Sequence, residues 1–571
     1  MLRTHHCGQL QLTDQGKEVI LSGWVQTLRN KGYLIWIDLR DRYGITQIVC
    51  VQDITHPYIF EKAKNLTRED VISVKGTVTP RKSPNPHLAT GQIEIAPTAL
   101  EVLNKAKLPP FTIEDHTDGG SELRMQYRYL DLRRKPLQQN LIFRHQVNTH
   151  IRSYLNQKQF IEIETPALIK STPEGARDFL VPADTQAKKQ LYYALPQSPQ
   201  TLKQLLMIAG MDRYYQLVKC FRNEDLRADR QPEFTQLDCE LSFVTQEDII
   251  TLFEGLIQHL FQTTKHIALP QFTRMPYRQA IELYGTDKPD LRWGMPFVDF
   301  THLAKGKGFT TFDQAEKIIG ITLPQGAQLS RKQIDHLTEF VKKPHIAASG
   351  LAYIKYLADG NIRSPLEKWY QQQELQQWVQ KSKAQKNSLI LMLAGEKATT
   401  YQALSLLRIH TGKTHLPHLS KNFMPLWVTD FPLLTWDSEA GRYEAMHHPF
   451  TAPKATDLPL LATHPSQVQA QSYDIVINGT EIGGGSVRIH QKYLQLQILK
   501  LLGFSTQQAH QQFGFLLEAL SYGTPPHAGI AFGLDRLCMI LGEGTSIRDY
   551  IAFPKNNAGR DVMLDAPSAL I

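Results

Sequence analysis

Cysteine is scarce in this 571-residue chain, and no Cys-x-x-Cys pair occurs among the five present: Cys7, Cys50, Cys220, Cys239 and Cys538. This pattern argues against a disulfide framework and against a structural zinc site, and it is typical of a reducing compartment. The N-terminus, MLRTHHCGQLQLTD, lacks the apolar segment of a signal peptide. No apolar run approaches the ~18 residues of a membrane span. We therefore expect a cytoplasmic protein without a membrane segment.

The chain also lacks the common glycine-rich phosphate loops, since it has no GxxxxGK[ST] sequence and no GxGxxG motif between strand and helix. Charge of one sign is only mildly in excess, with 63 Lys and Arg against 55 Asp and Glu, a net charge of +8. This balance favours a polyanionic partner such as nucleic acid without establishing one. With 42% apolar and 21% charged residues, the composition excludes disordered and collagen-like chains.

The first hundred residues are typical of β-structure. A helix-like stretch at 56–66 separates the third and fourth of five runs rich in Val, Ile, Thr and aromatic residues: 17–25, 33–39, 45–51, 70–79 and 91–103. Five strands with a helix in this place are the order of an OB-fold, a barrel that commonly binds oligonucleotides. Another kind of small β-barrel is the alternative.

After the barrel, a polar connector occupies 105–135. An amphipathic helix is predicted next, because apolar residues recur every fourth position at Phe143, Val147, Ile151 and Leu155. A short strand is predicted after it, at 160–164. From 290 to 419 the character changes, and segments such as QQQELQQWVQKSKAQKN are rich in Gln and Lys, helical in propensity, and without a chemical motif. We interpret that stretch as an inserted domain.

The densest concentration of charge is 220–243, CFRNEDLRADRQPEFTQLDCELSF, and its flanks are strand-like. We therefore expect a charged loop between two antiparallel strands. An Arg in such a loop can hold a phosphate through paired N–H donors, and Phe234 offers a face for stacking. The alternative is a solvated surface hairpin with balanced charges.

Two further segments combine glycine with charge. In GIAFGLDRLCMIL, 529–541, an apolar strand breaks at Gly533 and leads into a helix whose first turn holds Arg536. The helix dipole disfavours a cation there, so a bound anion would explain it. In YDIVINGTEIGGGSVRIH, 473–490, Asp474 and Glu481 precede a triple glycine, and two carboxylates near a phosphate suit Mg²⁺. The alternative for Arg536 is a simple surface arginine. The alternative for the triple glycine is a β-bulge.

Together these segments resemble a known enzyme family. FRNEDLRADRQPEFTQLD and GIAFGLDRL are similar to motifs 2 and 3 of the class II aminoacyl-tRNA synthetases, and the helix 140–157 is similar to motif 1, the dimer-interface element. TPEGARDF, YGTDKPDLR, HHPFTAP and IRDYIAFPK resemble bacterial-type aspartyl-tRNA synthetases of class IIb, and the likeness spans nearly the full chain.

The resemblance implies an α+β multidomain fold with an N-terminal OB-fold barrel, a catalytic core on an antiparallel sheet flanked by helices, and an inserted α/β domain of GAD type. It implies an AMP-forming aspartate–tRNA ligase, a cytoplasmic homodimer that uses L-aspartate, ATP, Mg²⁺ and tRNA(Asp). The predicted boundaries are 1–104 for the anticodon-binding barrel, 105–135 for the hinge, 136–289 and 420–555 for the two parts of the core, 290–419 for the insertion and 556–571 for a tail.

The same resemblance implies roles for single residues. The implied catalytic residues are Arg222, clamping the α-phosphate, Arg536, clamping the γ-phosphate, Glu224 and Glu481, and the implied Mg²⁺ ligands are Asp474 and Glu481. The implied ATP-binding residues are Arg222, Glu224, Gln231, Phe234, Glu481, Gly533, Leu534, Asp535 and Arg536, with adenine between Phe234 and Arg536. The implied aspartate-binding residues are Glu174, Ser198, Gln200, Lys203, Arg222, Asp238, His447 and Arg488.

Within the aspartate set, Lys203 and Arg488 match the residues that bind the side-chain carboxylate, and Asp238 matches one near the ammonium group. Asparagine would then leave the two cations without their anion, which predicts strong discrimination. The segment 171–182 resembles a lid over the substrate. His448 either supports its loop or contacts the substrate.

In the barrel, four residues match anticodon-reading positions of the family: Arg29, Trp36, Gln47 and Glu94. The family more often has phenylalanine at position 36, so Trp36 keeps a face for stacking on a base. The alternative for Trp36 is packing on a half-buried strand.

Three other functions stay open from the sequence. A catalytically silent binding or regulatory paralogue is disfavoured by the presence of Arg222, Glu224, Glu481 and Arg536. A tRNA-independent adenylating enzyme, such as an asparagine synthetase of this fold, is disfavoured by the barrel. A non-discriminating synthetase that also charges tRNA(Asn) with aspartate is not decided by the neighbouring Lys31 and Lys82.

Overall fold

The computed structural model describes residues 2–172, 175–183, 190–224 and 230–569. The chain divides into two compact units. The first comprises residues 2–145, residue 230 and residues 546–569. The second comprises residues 146–172, 175–183, 190–224 and 231–545.

A closed five-stranded barrel forms most of the first unit. Its elements are β1 (Glu18–Asn30), β2 (Leu34–Arg40), β3 (Ile45–Val51), α1 (Pro57–Lys64), β4 (Val71–Pro80) and β5 (Ile93–Asn104). The strands are hydrogen-bonded in the order β1-β2-β3-β5-β4, and β4 returns to β1. Alternate residues such as Val25, Ile37, Ile48 and Val74 are fully buried in the barrel core, as the period of two along a strand requires. The predicted OB-fold order is confirmed.

The stretch predicted only as a polar connector contains two short helices, α2 (Ser121–Gln126) and α3 (Arg128–Asp131), before α4 (Lys135–Gln157) begins. Asp131 is fully buried, and it accepts hydrogen bonds from Arg128 at 2.9 Å and from Arg134 at 2.8 Å. The basic run of this stretch therefore makes an internal network. The predicted amphipathic helix is confirmed in α4, where Val147, Ile151 and Leu155 are fully buried.

An eight-stranded sheet forms the core of the second unit, in the order β11 (Thr273–Pro276), β17 (Pro425–Thr429), β20 (Ser472–Ile477), β21 (Thr480–Val487), β22 (His527–Gly533), β10 (Glu233–Ser242), β9 (Arg213–Phe221) and β6 (Ile161–Glu162). All neighbouring pairs are antiparallel except β11–β17 and β6–β9. Up to residue 284 the elements are β6 (Ile161–Glu162), β7 (Leu180–Ala183), β8 (Leu191–Ala194), α5 (Gln200–Ile208), β9 (Arg213–Phe221), β10 (Glu233–Ser242), α6 (Gln246–Lys265), β11 (Thr273–Pro276) and α7 (Tyr277–Tyr284).

A separate five-stranded sheet, in the order β12-β13-β16-β14-β15, lies within residues 298–395. The elements here are β12 (Val298–Asp299), α8 (Thr301–Ala304), α9 (Thr310–Asp313), β13 (Lys317–Leu323), α10 (Arg331–Val341), β14 (Ala352–Tyr356), β15 (Ile362–Arg363), α11 (Gln372–Lys381), β16 (Ser388–Gly395) and α12 (Lys397–His415). The Gln-rich segment is helical as predicted, because α11 buries Leu375, Trp378 and Val379. The exact domain boundaries stay a prediction.

The remaining elements complete the large sheet and cover it. They are β17 (Pro425–Thr429), β18 (Leu434–Asp437), β19 (Arg442–Ala445), β20 (Ser472–Ile477), β21 (Thr480–Val487), α13 (Lys492–Leu501), α14 (Thr506–Ala519), β22 (His527–Gly533) and α15 (Leu534–Leu541). The expected strand-to-helix break at Gly533 is the junction of β22 and α15. In the described part of the chain, the helices are all too short or too polar to cross a membrane.

Candidate active site

A cavity of about 380 Å³ opens on the face of the eight-stranded sheet in the second unit. It brings together residues predicted for aspartate and for Mg²⁺: Ser198, Gln200, Lys203, Arg222, Asp238, His447, Asp474, Glu481 and Arg488. It also includes residues to which the sequence analysis gave no role: Gln236, Asp287, Lys288, Phe431, Met446, Gly484, Gly485 and Ala531. Residues far apart in the sequence therefore meet at one concave site.

One end of the cavity is a buried cluster of two cations and two carboxylates. Lys203 Nζ, from α5, lies 3.1 Å from Asp238 Oδ1 and 3.2 Å from Glu240 Oε2, both on β10. Arg488 Nε lies 2.8 Å from Glu240 Oε1, and its Nη2 lies 3.1 Å from Glu240 Oε2. All four side chains are at most 2% exposed, so this charge balance is held out of water.

Glu240 is the member of this cluster that the sequence analysis missed. Burial disfavours its charged form, but Arg488 and Lys203 outweigh burial and lower the pKa of the Glu240 carboxyl. The expectation that asparagine leaves Lys203 and Arg488 without any anion needs correction, because Glu240 already pairs with both. The alternation of side chains along a strand would have indicated Glu240, since Gln236, Asp238 and Glu240 point to one face of β10.

Asp238 has one oxygen to spare for a ligand. Its Oδ1 accepts from Lys203, while Oδ2 is buried and has no hydrogen-bond partner among the described residues. Burial, which outweighs the neighbouring Lys203, raises the pKa of this carboxyl. A buried acceptor without a partner costs free energy, about 1–3 kcal/mol for a neutral group and more for a charged one. A cation such as an ammonium group would remove that cost.

His448 belongs to the same end of the cavity. Arg488 Nη1 donates to His448 Nε2 and, at 2.9 Å, to Ser486 Oγ. Burial first, and the Arg488 charge second, hold the pKa of His448 well below its usual value. The neutral imidazole therefore fixes the Arg488 guanidinium while it also lines the cavity.

The other end of the cavity is acidic and contains the two predicted Mg²⁺ ligands. Lys288 Nζ donates to Glu481 Oε2 at 2.6 Å, and His447 Nε2 lies 3.4 Å from Asp474 Oδ1. Burial opposes the charge on Lys288 and on His447, but the facing carboxylates outweigh burial and raise the pKa of each. Both cationic forms are thus favoured by their carboxylate partners.

The donor set fits a Mg²⁺ ion that is completed by phosphate oxygens. Asp474 and Glu481 both line the cavity, and Mg²⁺ is commonly held by one or two carboxylates together with phosphates and water. Among the residues that the structure describes, no group of three His, Cys, Asp or Glu side chains is arranged to hold a metal alone.

The triple glycine of β21 leaves room for these groups. A Cβ at Gly484 would lie 2.2 Å from Asp474 Oδ1, and one at Gly485 would lie 2.0 Å from the carbonyl oxygen of Gly529. The register between β20 and β21 shifts between Ile475 and Val476, so the bulge falls just before the triple glycine, whose three members pair regularly with β20. The glycines therefore serve both close strand packing and the position of Asp474.

If the cavity binds ATP as the resemblance implies, alanine at Gly484 should displace the Asp474 carboxylate and raise the KM for ATP by about fivefold, the equivalent of roughly 1 kcal/mol. Pyrophosphate exchange measured over a range of Mg²⁺ concentrations checks this, and a higher Mg²⁺ requirement is expected. Gly514→Ala is the matched control, because nothing lies within 4 Å of a Cβ added there. An unchanged Mg²⁺ requirement in Gly484→Ala would contradict the role of Asp474.

The predicted nucleotide residues lie at the junction of β10, β21 and α15. The Arg222 guanidinium lies over the Phe234 ring, 5.1 Å from its centroid. Arg536 Nη1 donates to the Glu481 carbonyl oxygen at 3.3 Å, and Asp535 Oδ2 accepts from the Thr235 amide at 3.0 Å. Glu224 and Gln231 lie in the loop between β9 and β10, while Gly533 ends β22 and Leu534 begins α15.

Of the remaining predicted site residues, Glu174 lies outside the described residues, as does part of the predicted lid. The four predicted anticodon residues meet on neighbouring barrel strands. In the strand register, Arg29 of β1 lies opposite Trp36 of β2, and Gln47 of β3 lies opposite Glu94 of β5. Gln47 accepts from Arg29 at 3.3 Å and donates to Glu94 at 2.7 Å, and it also accepts from Arg81, which the sequence analysis missed.

Comparisons with known proteins agree with this architecture. Residues 120–557 match the family described as tRNA synthetases class II (D, K and N), and residues 19–103 match the OB-fold nucleic acid binding domain. Among solved structures, the asparaginyl-tRNA synthetase from Pyrococcus horikoshii complexed with asparaginyl-adenylate is similar with a TM-score of 0.62 at 20% identity, over 97% of this chain and 98% of that one. The chain therefore belongs to the class II tRNA synthetases.

Curated relatives show to which group of the class II tRNA synthetases the chain belongs. The aspartate–tRNA ligase of Amoebophilus asiaticus is 56% identical over 571 residues, covering 100% of this chain and 98% of that protein. The aspartate–tRNA ligase of Bacteroides fragilis is 54% identical over 572 residues, covering 100% and 97%. Within its class the chain belongs to the aspartate–tRNA ligases, so the predicted family and fold class are confirmed.

Proposed function

We propose that this protein activates L-aspartate with ATP, giving aspartyl-adenylate and pyrophosphate, and then transfers aspartate to the 3′ end of tRNA(Asp). The observation that carries the proposal is the charge arrangement of the cavity. Lys203 lies beside Asp238, whose Oδ2 lacks a partner among the described residues, and Arg488 belongs to the same buried cluster through Glu240. Such a site suits a small ligand that bears both an ammonium group and a carboxylate, since each buried charge needs an opposite partner.

In the proposed complex, Asp238 Oδ2 accepts the substrate ammonium group, and Lys203 and Arg488 hold the side-chain carboxylate. Ser198 and Gln200, at the same end, contact the ammonium side of the substrate. Arg222, which lines the cavity next to Phe234, then holds the α-phosphate beside the substrate α-carboxylate. This arrangement leaves one carboxylate oxygen of the substrate facing the phosphorus atom.

Adenylate formation needs no protein nucleophile. A substrate α-carboxylate oxygen attacks the α-phosphorus, the new P–O bond forms, and the bond to pyrophosphate breaks. Positioning and charge neutralisation supply the catalysis. Arg222 and Arg536 neutralise phosphate charge, and Glu224 and Gln231 position the nucleotide. Mg²⁺, held by Asp474 and Glu481, would add further neutralisation of the phosphates.

In the second step, a hydroxyl of the terminal adenosine of the tRNA attacks the aspartyl carbonyl carbon and AMP leaves. The barrel supports tRNA as the partner, because Trp36 and the Arg29–Gln47–Glu94 network lie on adjoining strands. A cytoplasmic homodimer, with α4 at its interface, is part of the proposal on the strength of the motif 1 resemblance.

Amino acid-dependent pyrophosphate exchange tests the first step. Exchange should require aspartate and be negligible with asparagine at the same concentration. Exchange without amino acid dependence, or exchange driven by asparagine, would overturn the proposed substrate. Absence of any exchange would instead favour a catalytically silent paralogue.

Charging of purified tRNA(Asp) and tRNA(Asn), assayed side by side, tests the second step. We expect aspartate on tRNA(Asp). Aspartate on both tRNAs would identify a non-discriminating enzyme, and adenylate formation with transfer to neither would identify a tRNA-independent enzyme.

A further inference from the structure

One short segment, residues 284–295, YGTDKPDLRWGM, leads from the active site into the inserted domain. This segment follows α7 and leads into the inserted sheet. It contributes Asp287 and Lys288 to the cavity, and the turn between β20 and β21 packs on it, since a Cβ at Gly479 would lie 3.2 Å from Asp290 Cβ. Whatever fixes the 284–295 segment therefore also places Lys288 against Glu481.

One face of α12, the last helix of the insertion, runs along this segment. A Cβ at Gly285 would lie 2.5 Å from the Tyr401 carbonyl oxygen, and a Cβ at Gly412 would lie 2.4 Å from the Trp293 ring. Positions 401, 408 and 412 share one face of a helix, given 3.6 residues per turn. The contact is close enough that neither glycine tolerates a side chain without movement.

Arg408 is the polar centre of that contact. Its side chain is 1% exposed, and Nε donates to the carbonyl oxygens of Gly294 at 2.9 Å and Met295 at 3.2 Å. Nη2 donates to the carbonyl oxygens of Asp290 and Gly294, and the guanidinium lies 4.7 Å from the Tyr284 ring centroid. In the described part of the chain, Arg408 makes no ion pair with a carboxylate. Its donors are directed at the backbone of the segment.

Such an arginine does more than fill space. An apolar residue would pack against the segment without burying a charge, and replacing buried charged groups by apolar ones is often neutral or stabilising. Directed hydrogen bonds to three carbonyl groups instead fix where the backbone lies. Burial lowers the pKa of Arg408 to about 10, opposed by Tyr284 and Asp290, so the guanidinium stays charged at neutral pH.

We infer that Arg408 is a positioning residue of the active site, which holds the 284–295 segment so that Lys288 meets Glu481 at the nucleotide end of the cavity. The inference rests on the proposed function, because it assigns Lys288 to the ATP side. Lys288 donates a hydrogen bond to the Glu481 side chain, and the Glu481 carbonyl oxygen accepts one from Arg536. Lys203 and Arg488 lie at the opposite end of the cavity. The insertion thereby acts on the active site through a buried side chain of its last helix.

A double-mutant cycle tests this coupling. Lys288→Met should raise the KM for ATP by about tenfold, the equivalent of roughly 1.4 kcal/mol, and Arg408→Met should raise it by about fivefold. The KM for aspartate should stay unchanged in both. If Arg408 acts through Lys288, Arg408→Met should have no further effect in the Lys288→Met background. Additive effects, or an equal rise in the KM for aspartate, would overturn the inference.

Matched variants separate positioning from loss of fold. Tyr370→Phe removes a buried hydrogen bond, to the Ala304 carbonyl oxygen, elsewhere in the insertion, and it should leave the KM for ATP unchanged. Arg408→Lys keeps the charge and should give an intermediate KM, and it carries the test if Arg408→Met does not fold. The same double-mutant cycle can be measured by calorimetric ATP binding, which needs no turnover. Failure of aspartate-dependent exchange would then contradict the proposed function without contradicting this inference. A Tyr370→Phe effect as large as that of Arg408→Met would also overturn the inference.

Discussion

Replacing Arg488 with leucine should lower kcat/KM for aspartate by about a hundredfold or more. The substitution removes the guanidinium that the substrate side-chain carboxylate would contact, and it deprives the fully buried Glu240 of one of its two cations. Breaking a buried ion pair by removing one partner costs about 3–5 kcal/mol. Most of the loss should appear in the KM for aspartate, measured by pyrophosphate exchange, while the KM for ATP changes little.

The same variant should lose preference for aspartate over asparagine. In the native cluster, Lys203 and Arg488 balance Asp238 and Glu240. With the α-carboxylate directed to the α-phosphate beside Arg222 in the proposed complex, aspartate brings an ammonium group and a side-chain carboxylate to this cluster, which keeps the balance, whereas asparagine brings only the ammonium group. Without Arg488 the cluster is one cation short, so a neutral side chain is no longer at a disadvantage. An unchanged ratio of kcat/KM for the two amino acids would refute the assignment of Arg488.

Three companion measurements distinguish loss of the contact from loss of the fold. Arg488→Lys retains the charge but loses the two-point contact with Glu240, so its loss should be smaller. Thermal unfolding of each variant shows whether the buried cluster still folds. Lys288→Met, at the other end of the cavity, should affect ATP and leave aspartate unaffected, the reverse of the Arg488 pattern.

The sequence predicted the barrel well because strands with one buried face carry their pattern in alternate residues. Val25, Ile37, Ile48 and Val74 follow that rule, and the helix between the third and fourth strands distinguishes the OB-fold order. The connector was harder to predict. The sequence indicated no partners for its arginines, and only the folded chain brings Arg128 and Arg134 onto the buried Asp131.

The residues of the candidate site likewise divide into those that the sequence could predict and those that it could not. Motif-bearing residues such as Arg222, Asp238 and Glu481 could be assigned from resemblance, and the structure brings them to one cavity. For Glu240 and Lys288 the sequence indicated only a face of a strand and a place in a motif, because their partners lie far away in the sequence. Arg488 is 248 residues from Glu240, and Glu481 is 193 residues from Lys288. Pairings of that range are properties of the sheet and cannot be read from local pattern.

Trp36 provides the matching test in the barrel, where Trp36→Ala should lower kcat/KM for tRNA charging by about thirtyfold. Stacking of a base on an aromatic side chain is worth about 1–3 kcal/mol, and Trp36 is half-buried on β2 beside Arg29. Aspartate-dependent pyrophosphate exchange should be unchanged, because the first step needs no tRNA. Tyr58→Ala is the control, since Tyr58 is an exposed aromatic on α1 of the same barrel and should leave charging intact. Equal losses of exchange and charging in Trp36→Ala would mean that Trp36 packs the barrel and does not read the anticodon.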